Sequence, residues 1–221
     1  MTLAPSICGV ILAAGFSTRM GRDKALLPWP PVADGTPVAN TFLGATIDLL
    51  QTYTDLVIVV AGKNEAAIEP DAYAHGAFVT VNREPERGQF SSLQVGLQEV
   101  LNRGRDAALI ALIDHPPVLP ITVQALLHAF LNPGPEVWAV VPEVRRGEQL
   151  VHGHPIVVRR EMIEVFLRAP MDATARVVER QYQQHIQYLP VEDARVAANI
   201  DTAEDYDRLF GSDLISSEKQ F

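Results

Sequence analysis

Four short apolar runs, Ile7 to Ala13, Leu56 to Ala61, Ala107 to Ile113 and Val137 to Val141, constrain the fold of this chain more than any other feature. Each is apolar throughout and reads as a strand buried on both faces rather than as an amphipathic helix. Stretches with helical spacing separate them, and strands alternating with helices imply βαβ crossovers and a mostly parallel, mixed sheet of the α/β class. Leu93, Leu97, Val100 and Leu101 fall on one face of a helix, with Ser91 and Gln94 as a capping box at its start. Further helices are expected over Thr122 to Leu131, Glu161 to Leu167 and Ala203 to Phe210, the last capped by Thr202. Residues 28 to 37, rich in proline and glycine, read as an exposed loop.

The chain of 221 residues is long enough to bury one large core, so a single domain over residues 1–211 is expected, followed by a polar tail at 212–221. The lone cysteine, Cys8, lies inside the first apolar run and reads as a buried, unreactive thiol. No apolar stretch approaches the roughly 20 residues of a membrane span and no signal peptide is evident, so a cytoplasmic location is expected. A formal charge of -9 argues against nucleic acid or an anionic membrane as partner. An anionic substrate would need local cations, and Arg19, Arg22 and Lys24 supply them, interrupted by Asp23.

These cations follow the small residues Leu12-Ala13-Ala14-Gly15 at the end of the first strand. Glycine and alanine let backbone N–H groups approach phosphate oxygens, while Arg19 and Lys24 neutralise the charge of a triphosphate. In open α/β sheets such sites lie at the carboxyl ends of strands. Neither G-x-G-x-x-G nor the adjacent Gly-Lys-Ser/Thr of a P-loop is present, so a dinucleotide-binding hydride-transfer enzyme is disfavoured.

The string from Leu12 to Lys24 resembles the signature of the nucleotidyltransferases related to the molybdenum cofactor enzymes, roughly L-A-[AG]-G-x-S-x-R-M-G-x-x-K. Later matches follow in family order: Gly88 to Leu93 with Gly96-Leu97, Asp114-His115-Pro116, Gly153-His154-Pro155, and Asn199 to Asp205. The resemblance implies a three-layer α/β/α Rossmann-like nucleotidyltransferase fold. It also implies transfer of a nucleoside monophosphate to a phosphorylated acceptor, with release of pyrophosphate. Ala14 in the Ala-Ala-Gly loop resembles enzymes that use CTP or UTP, whereas Ala-Gly-Gly resembles GTP users. The similarity is strongest to the cytidylyltransferases that join CMP to the phosphate of molybdopterin. Guanylyl or sugar-phosphate transfer, and a nucleotide-binding module without turnover, stand as alternatives.

Asp114 ends the third apolar run, so its carboxylate should emerge at the same sheet edge as the first loop. The resemblance makes Asp114 and Asp201 the ligands of Mg²⁺, with Asn199 as an alternative to Asp201. Magnesium keeps water, so one or two carboxylates plus substrate phosphates suffice. By the same resemblance Gly88 and Ser92 lie near the base, although Ser91 and Ser92 could simply cap a helix. His154 is expected to line the acceptor pocket. Arg176 reaches toward the acceptor or is a solvated helix residue. His152 and His154 would share a strand face but have no zinc-ligand partners at the required spacing. Catalysis is expected to rest on Arg19, Lys24 and Asp114, with no general base, because the acceptor phosphate is already ionised. Asp-His-Pro replaces the more usual Asp-Met-Pro or Asp-Gln-Pro, and residues 30 to 34 look like an insertion, so the local shape at these two places is open.

Overall fold

The computed structural model describes residues 6–15, 20–31, 39–132, 134, 136–170 and 172–209. Strands β1 (Ile7–Leu12), β2 (Leu56–Ala61), β3 (Phe78–Val81) and β4 (Ala107–Leu112) run parallel, in the spatial order β3-β2-β1-β4. Helices α1 (Phe42–Gln51), α2 (Glu65–Ala74) and α3 (Gln89–Asn102) make the three crossovers. The crossover from β3 carries the chain past β2 and β1 to the far side of β1, so the strand order reverses between β1 and β4. That reversal is where an open α/β sheet forms a ligand crevice. All residues of β1 and β4 are buried, as expected for strands covered on both faces.

Beyond β4 the sheet becomes mixed. Strand β7 (Ile156–Arg159) is antiparallel to β4. Strand β5 (Ala139–Arg146) is antiparallel to β7 at its start and to β6 (Gln149–His152) at its end. Strand β8 (Ile186–Pro190) pairs parallel with β5. Helices α4 (Pro120–Leu131), α5 (Arg160–Arg168), α6 (Ala175–Gln181) and α7 (Ala203–Asp207) complete the fold. Two apolar layers sandwich the sheet. One contains Ile11, Leu43, Ile47, Leu126 and Phe130, and the other Val10, Leu97, Ile110, Met162 and Phe166. The three-layer α/β arrangement with a mostly parallel, mixed sheet is therefore as expected. Cys8 is fully buried, and burial pushes its thiol pKa up to about 12, which keeps it a thiol at neutral pH.

Several local expectations are corrected. Helix α3 begins at Gln89 with Gly88 as its N-cap, and no Ser91–Gln94 capping box forms. Ser91 and Ser92 are instead drawn inward by the buried Asn82, whose Nδ2 donates to both hydroxyls at 2.8 and 3.0 Å. Strand β5 starts at Ala139 rather than Val137. Trp29, expected on an exposed loop, is buried against Phe42 with ring centroids 5.0 Å apart, because an apolar indole gains more from that contact than from solvent. Thr202 does cap α7, in a reciprocal box with Asp205, although that helix ends at Asp207 and Phe210 lies outside the described residues. The tail 212–221 and Asp34 of the expected insertion also lie outside them.

Gly96 shows why α3 can press on the sheet. A Cβ there would stand 2.8 Å from Val10 Cγ1 and 2.9 Å from Val60 Cγ2. Overpacking of this kind costs about 1–3 kcal/mol. Gly96→Ala should lower unfolding stability by that amount in urea titration, with an unchanged denaturant slope.

Candidate functional site

The in-register pairing of β1 with β4 sets Leu12 level with Leu112, so the segments that follow both strands leave the sheet at one edge. Ala13 and Ala14 are buried there, and the Ala13 N–H donates to Val60 O. Gly62, just beyond β2, allows the close approach of this loop. A Cβ at Gly62 would lie 2.7 Å from the Ala14 carbonyl oxygen. Asn64 then ties the pieces together. Its Oδ1 accepts from Gly62 N, and its Nδ2 donates to Ala13 O at 2.9 Å and to Asp23 Oδ2 at 2.7 Å.

Asp23, which only interrupts a run of cations in the sequence, caps the turn at Lys24–Leu26 by accepting from Ala25 N. That turn aims Lys24 back at the edge, where its Nζ lies 2.9 Å from Asp201 Oδ1. Arg22 does not join it: its guanidinium lies 5.9 Å from the centroid of the Tyr206 ring. Arg19 lies outside the described residues.

Asp114 and Asp201 converge although far apart in sequence. The Ile200 N–H donates to Asp114 O at 2.8 Å, which docks the segment 199–201 against the end of β4. Asn199, the alternative ligand, donates its amide to Asp201 Oδ2 at 2.6 Å and so supports that carboxylate. Asp114 Oδ1 is buried and has no hydrogen-bond partner among the described residues. A buried oxygen left unsatisfied costs about 1–3 kcal/mol, more if charged. A hard divalent cation would satisfy it, and one or two carboxylates are a donor set that Mg²⁺ accepts. Among the described residues no group of three or more His, Cys, Asp or Glu could hold a metal.

Leu12, Ala14, Gly15, Lys24, Gly88, Ser92 and Asp114 line one recess of about 260 Å³. Seven of the expected site residues therefore share one space. Ser92 does not cap α3; its Oγ accepts from Asn82, which leaves the hydroxyl hydrogen able to donate into the recess. Asn82 was not recognisable from sequence. It follows β3 among charged residues, and its partners lie across the turn that leads to α3.

Leu12, Gly88 and Gln89 also border a neighbouring cavity of about 830 Å³. His154 and Arg176, the two expected acceptor residues, both line it, together with His115 and His152. His154 follows β6 in a segment that includes the cis peptide before Pro155, and its ring packs edge-on against His115 with centroids 5.5 Å apart. Its Nδ1 faces Ile110 O at 3.4 Å. Burial, aided by His115, lowers its pKa to about 3, so it is neutral at physiological pH. Burial also lowers the pKa of His115, which Asp114 opposes; His115 Nδ1 contacts Val196 O at 3.2 Å. His152 and His154 do not share a strand face, since His152 stacks on Tyr188 at 4.1 Å.

No helix among the described residues is long and apolar enough to cross a membrane. Among known proteins, the chain is 28% identical over 195 residues to a probable molybdenum cofactor guanylyltransferase of Rhodopirellula baltica, covering 88% of this chain and 83% of that one. It is 30% identical over 208 residues to the nicotine blue oxidoreductase of Paenarthrobacter nicotinovorans, covering 93% and 97%. It is 23% identical to the molybdenum cofactor cytidylyltransferase of Escherichia coli, over 89% and 92% of the two chains. A crystal structure from Mycobacterium tuberculosis superposes with a TM-score of 0.75 at 28% identity, covering 94% and 99%. A manganese complex from the same organism superposes at 0.69 and 26% identity, covering 94% and 99%. Residues 9–186 match the family model described as the MobA-like NTP transferase domain. With most of the sheet and the whole of its first loop inside that match, the chain belongs to the MobA-like NTP transferase family.

Proposed function

We propose that this protein transfers CMP from CTP to the phosphate of a molybdopterin-type acceptor, releasing pyrophosphate. The observation that carries this reading is the meeting of Lys24, Asp114 and Asp201 beside the Ala13–Gly15 loop, with a separate large cavity opening from the same recess. The names of the relatives from Rhodopirellula baltica and Escherichia coli support the acceptor class. Guanylyl transfer is the more frequent name among the relatives; the alanine at position 14, where GTP users resemble one another in having glycine, favours the pyrimidine.

In this reading the loop backbone and Lys24 hold the triphosphate, Arg19 adds a second cation, and Gly88 with the Ser92 hydroxyl meets the base. An ionised acceptor oxygen attacks the α-phosphorus in line. The new P–O bond forms as the bond to the β-phosphate oxygen breaks, and pyrophosphate carries away the electron pair. The nucleophile brings no proton to be removed, so the chain supplies alignment and charge rather than a base. A magnesium ion held by Asp114 and Asp201 would supply further positive charge against the phosphates. Arg176 offers charge to the acceptor, whereas His154, being neutral, offers only a hydrogen bond and a wall.

Lys24→Ala and Asp114→Ala should each lower the rate of CTP-dependent pyrophosphate release on the order of a hundredfold or more, by analogy with the loss of preorganised electrostatic partners. A folded Asp114→Ala enzyme as fast as its parent in magnesium would end the metal assignment. Base choice is checked by thermal unfolding with magnesium and each of CTP, GTP, UTP and ATP. CTP at about a hundred times its Kd should stabilise the protein by about 2.7 kcal/mol. A larger shift with GTP would overturn the cytidylyl reading.

Neutral His154 also has a pH signature. Its folded pKa of about 3 lies below the ordinary 6.5, so the unfolded chain takes up the proton first as pH falls. Stability is thus lost between about pH 6.5 and 3, by up to about 1.4 kcal/mol per pH unit from this group. His154→Gln should flatten the dependence over that window, read as denaturant midpoints of variant and parent.

A further inference from the structure

The 830 Å³ cavity contains one acidic side chain whose role the phosphate chemistry does not explain. Glu179 sits on α6, three residues after Arg176 and so on the same helix face. Both residues line the cavity, as do His152 and Tyr188. No described residue hydrogen-bonds to the Glu179 carboxylate or pairs with it within 4.0 Å. Burial raises its pKa, opposed by Arg176 and His152, and Glu179 in turn raises the pKa of Tyr188. These four groups are therefore electrostatic neighbours in one cavity. The rings of His152 and Tyr188 stack on one another at 4.1 Å and 17°, so the pair can offer a ligand only an outer ring face, and His152 Nε2 lies 3.5 Å from Glu143 Oε2.

A carboxylate wholly devoted to phosphate binding would be counterproductive, since it repels the anion. Beside an outer ring face it has a different use. A carboxylate with two free oxygens matches a planar pair of parallel N–H donors, and such charge-assisted bidentate contacts are about twice as strong as neutral ones. The geometry points to Glu179 as the specificity residue that reads the amino and ring N–H donors of a 2-amino-4-oxo-pyrimidine ring, packed against the outer face of the His152–Tyr188 pair. Arg176 is then left to meet the acceptor phosphate. Pterins present that donor edge, so the inference rests on the reading of this cavity as the acceptor side and names what distinguishes the acceptor. Guanine presents the same edge, and the experiment separates the two sources.

The test is equilibrium binding of 6-carboxypterin, followed by its fluorescence, against 6-carboxylumazine, in which an oxo group replaces the 2-amino donor. The parent protein should prefer the pterin by about tenfold or more, the range of hydrogen bonds to a charged group. Glu179→Gln should lose that preference chiefly through weaker pterin binding. Arg176→Gln should weaken both probes alike, because each carries the same carboxylate. Equal affinity of the parent for both probes overturns the inference, whether or not Glu179→Gln folds. So does a folded Glu179→Gln protein that keeps the preference. Competition by GMP that disappears in Glu179→Gln, without any pterin preference in the parent, assigns the edge to guanine and also overturns it. If no triphosphate stabilises the protein yet the pterin pattern holds, nucleotidyl transfer falls and the role of Glu179 stands.

Discussion

The structure depends on the level pairing of two buried parallel strands. Because β1 and β4 lie side by side in register, Leu12 beside Leu112, the chain leaves both at the same height. Everything polar in the site is attached to that edge. The loop after β1 supplies small residues and backbone, the residue after β4 supplies a carboxylate, and the late segment around Ile200 is fastened to the Asp114 carbonyl by one backbone hydrogen bond. A sheet buried on both faces is stiff, so the positions of these groups are set by packing rather than by the groups themselves. This is why the backbone at Asp114 and at Ile200, distant in sequence, can be held together without a local motif joining them.

Much of that framework was legible in the residues, for a physical reason. A strand covered on both sides must be apolar throughout, and β1, β2 and β4 announce themselves that way. Edge and hairpin strands do not. Phe78 is exposed and the rest of β3 only partly buried, while most of β6 is exposed, so neither carries a continuous apolar signal. Helix α2 is similarly quiet, with only Ile68 and Ala72 buried and Pro70 inside it. The sequence pattern also suggested a capping box at Ser91 that tertiary contacts displaced, because a buried asparagine amide needed acceptors and the two serines were within reach.

The candidate site divides in the same manner. Residues tied to the ends of strong strands, Leu12 to Gly15 and Asp114, could be placed from apolar runs alone, and Lys24 followed from its loop. Asp23, Asn64 and Asn82 could not, since each acts by fixing neighbours around the recess. Their polar groups complete hydrogen bonds that exist only once β1, β2 and α3 are assembled. The acceptor side was harder still. His152 and His154 look equivalent in sequence, yet the intervening Gly153, whose Cβ would collide with the Val196 carbonyl, is followed by a turn that sends one ring to Tyr188 and the other to His115. A relative 30% identical to the chain is named as an oxidoreductase, which places the weight of assignment on the side chains of the two cavities rather than on the sheet.

The amide nitrogen of Asn64 touches both Ala13 and Asp23. Entry to and exit from the intervening stretch of chain are thus moored to a single atom on a third element. The strand end that opens the loop and the turn that presents Lys24 are therefore held by one amide, so its loss would release both together.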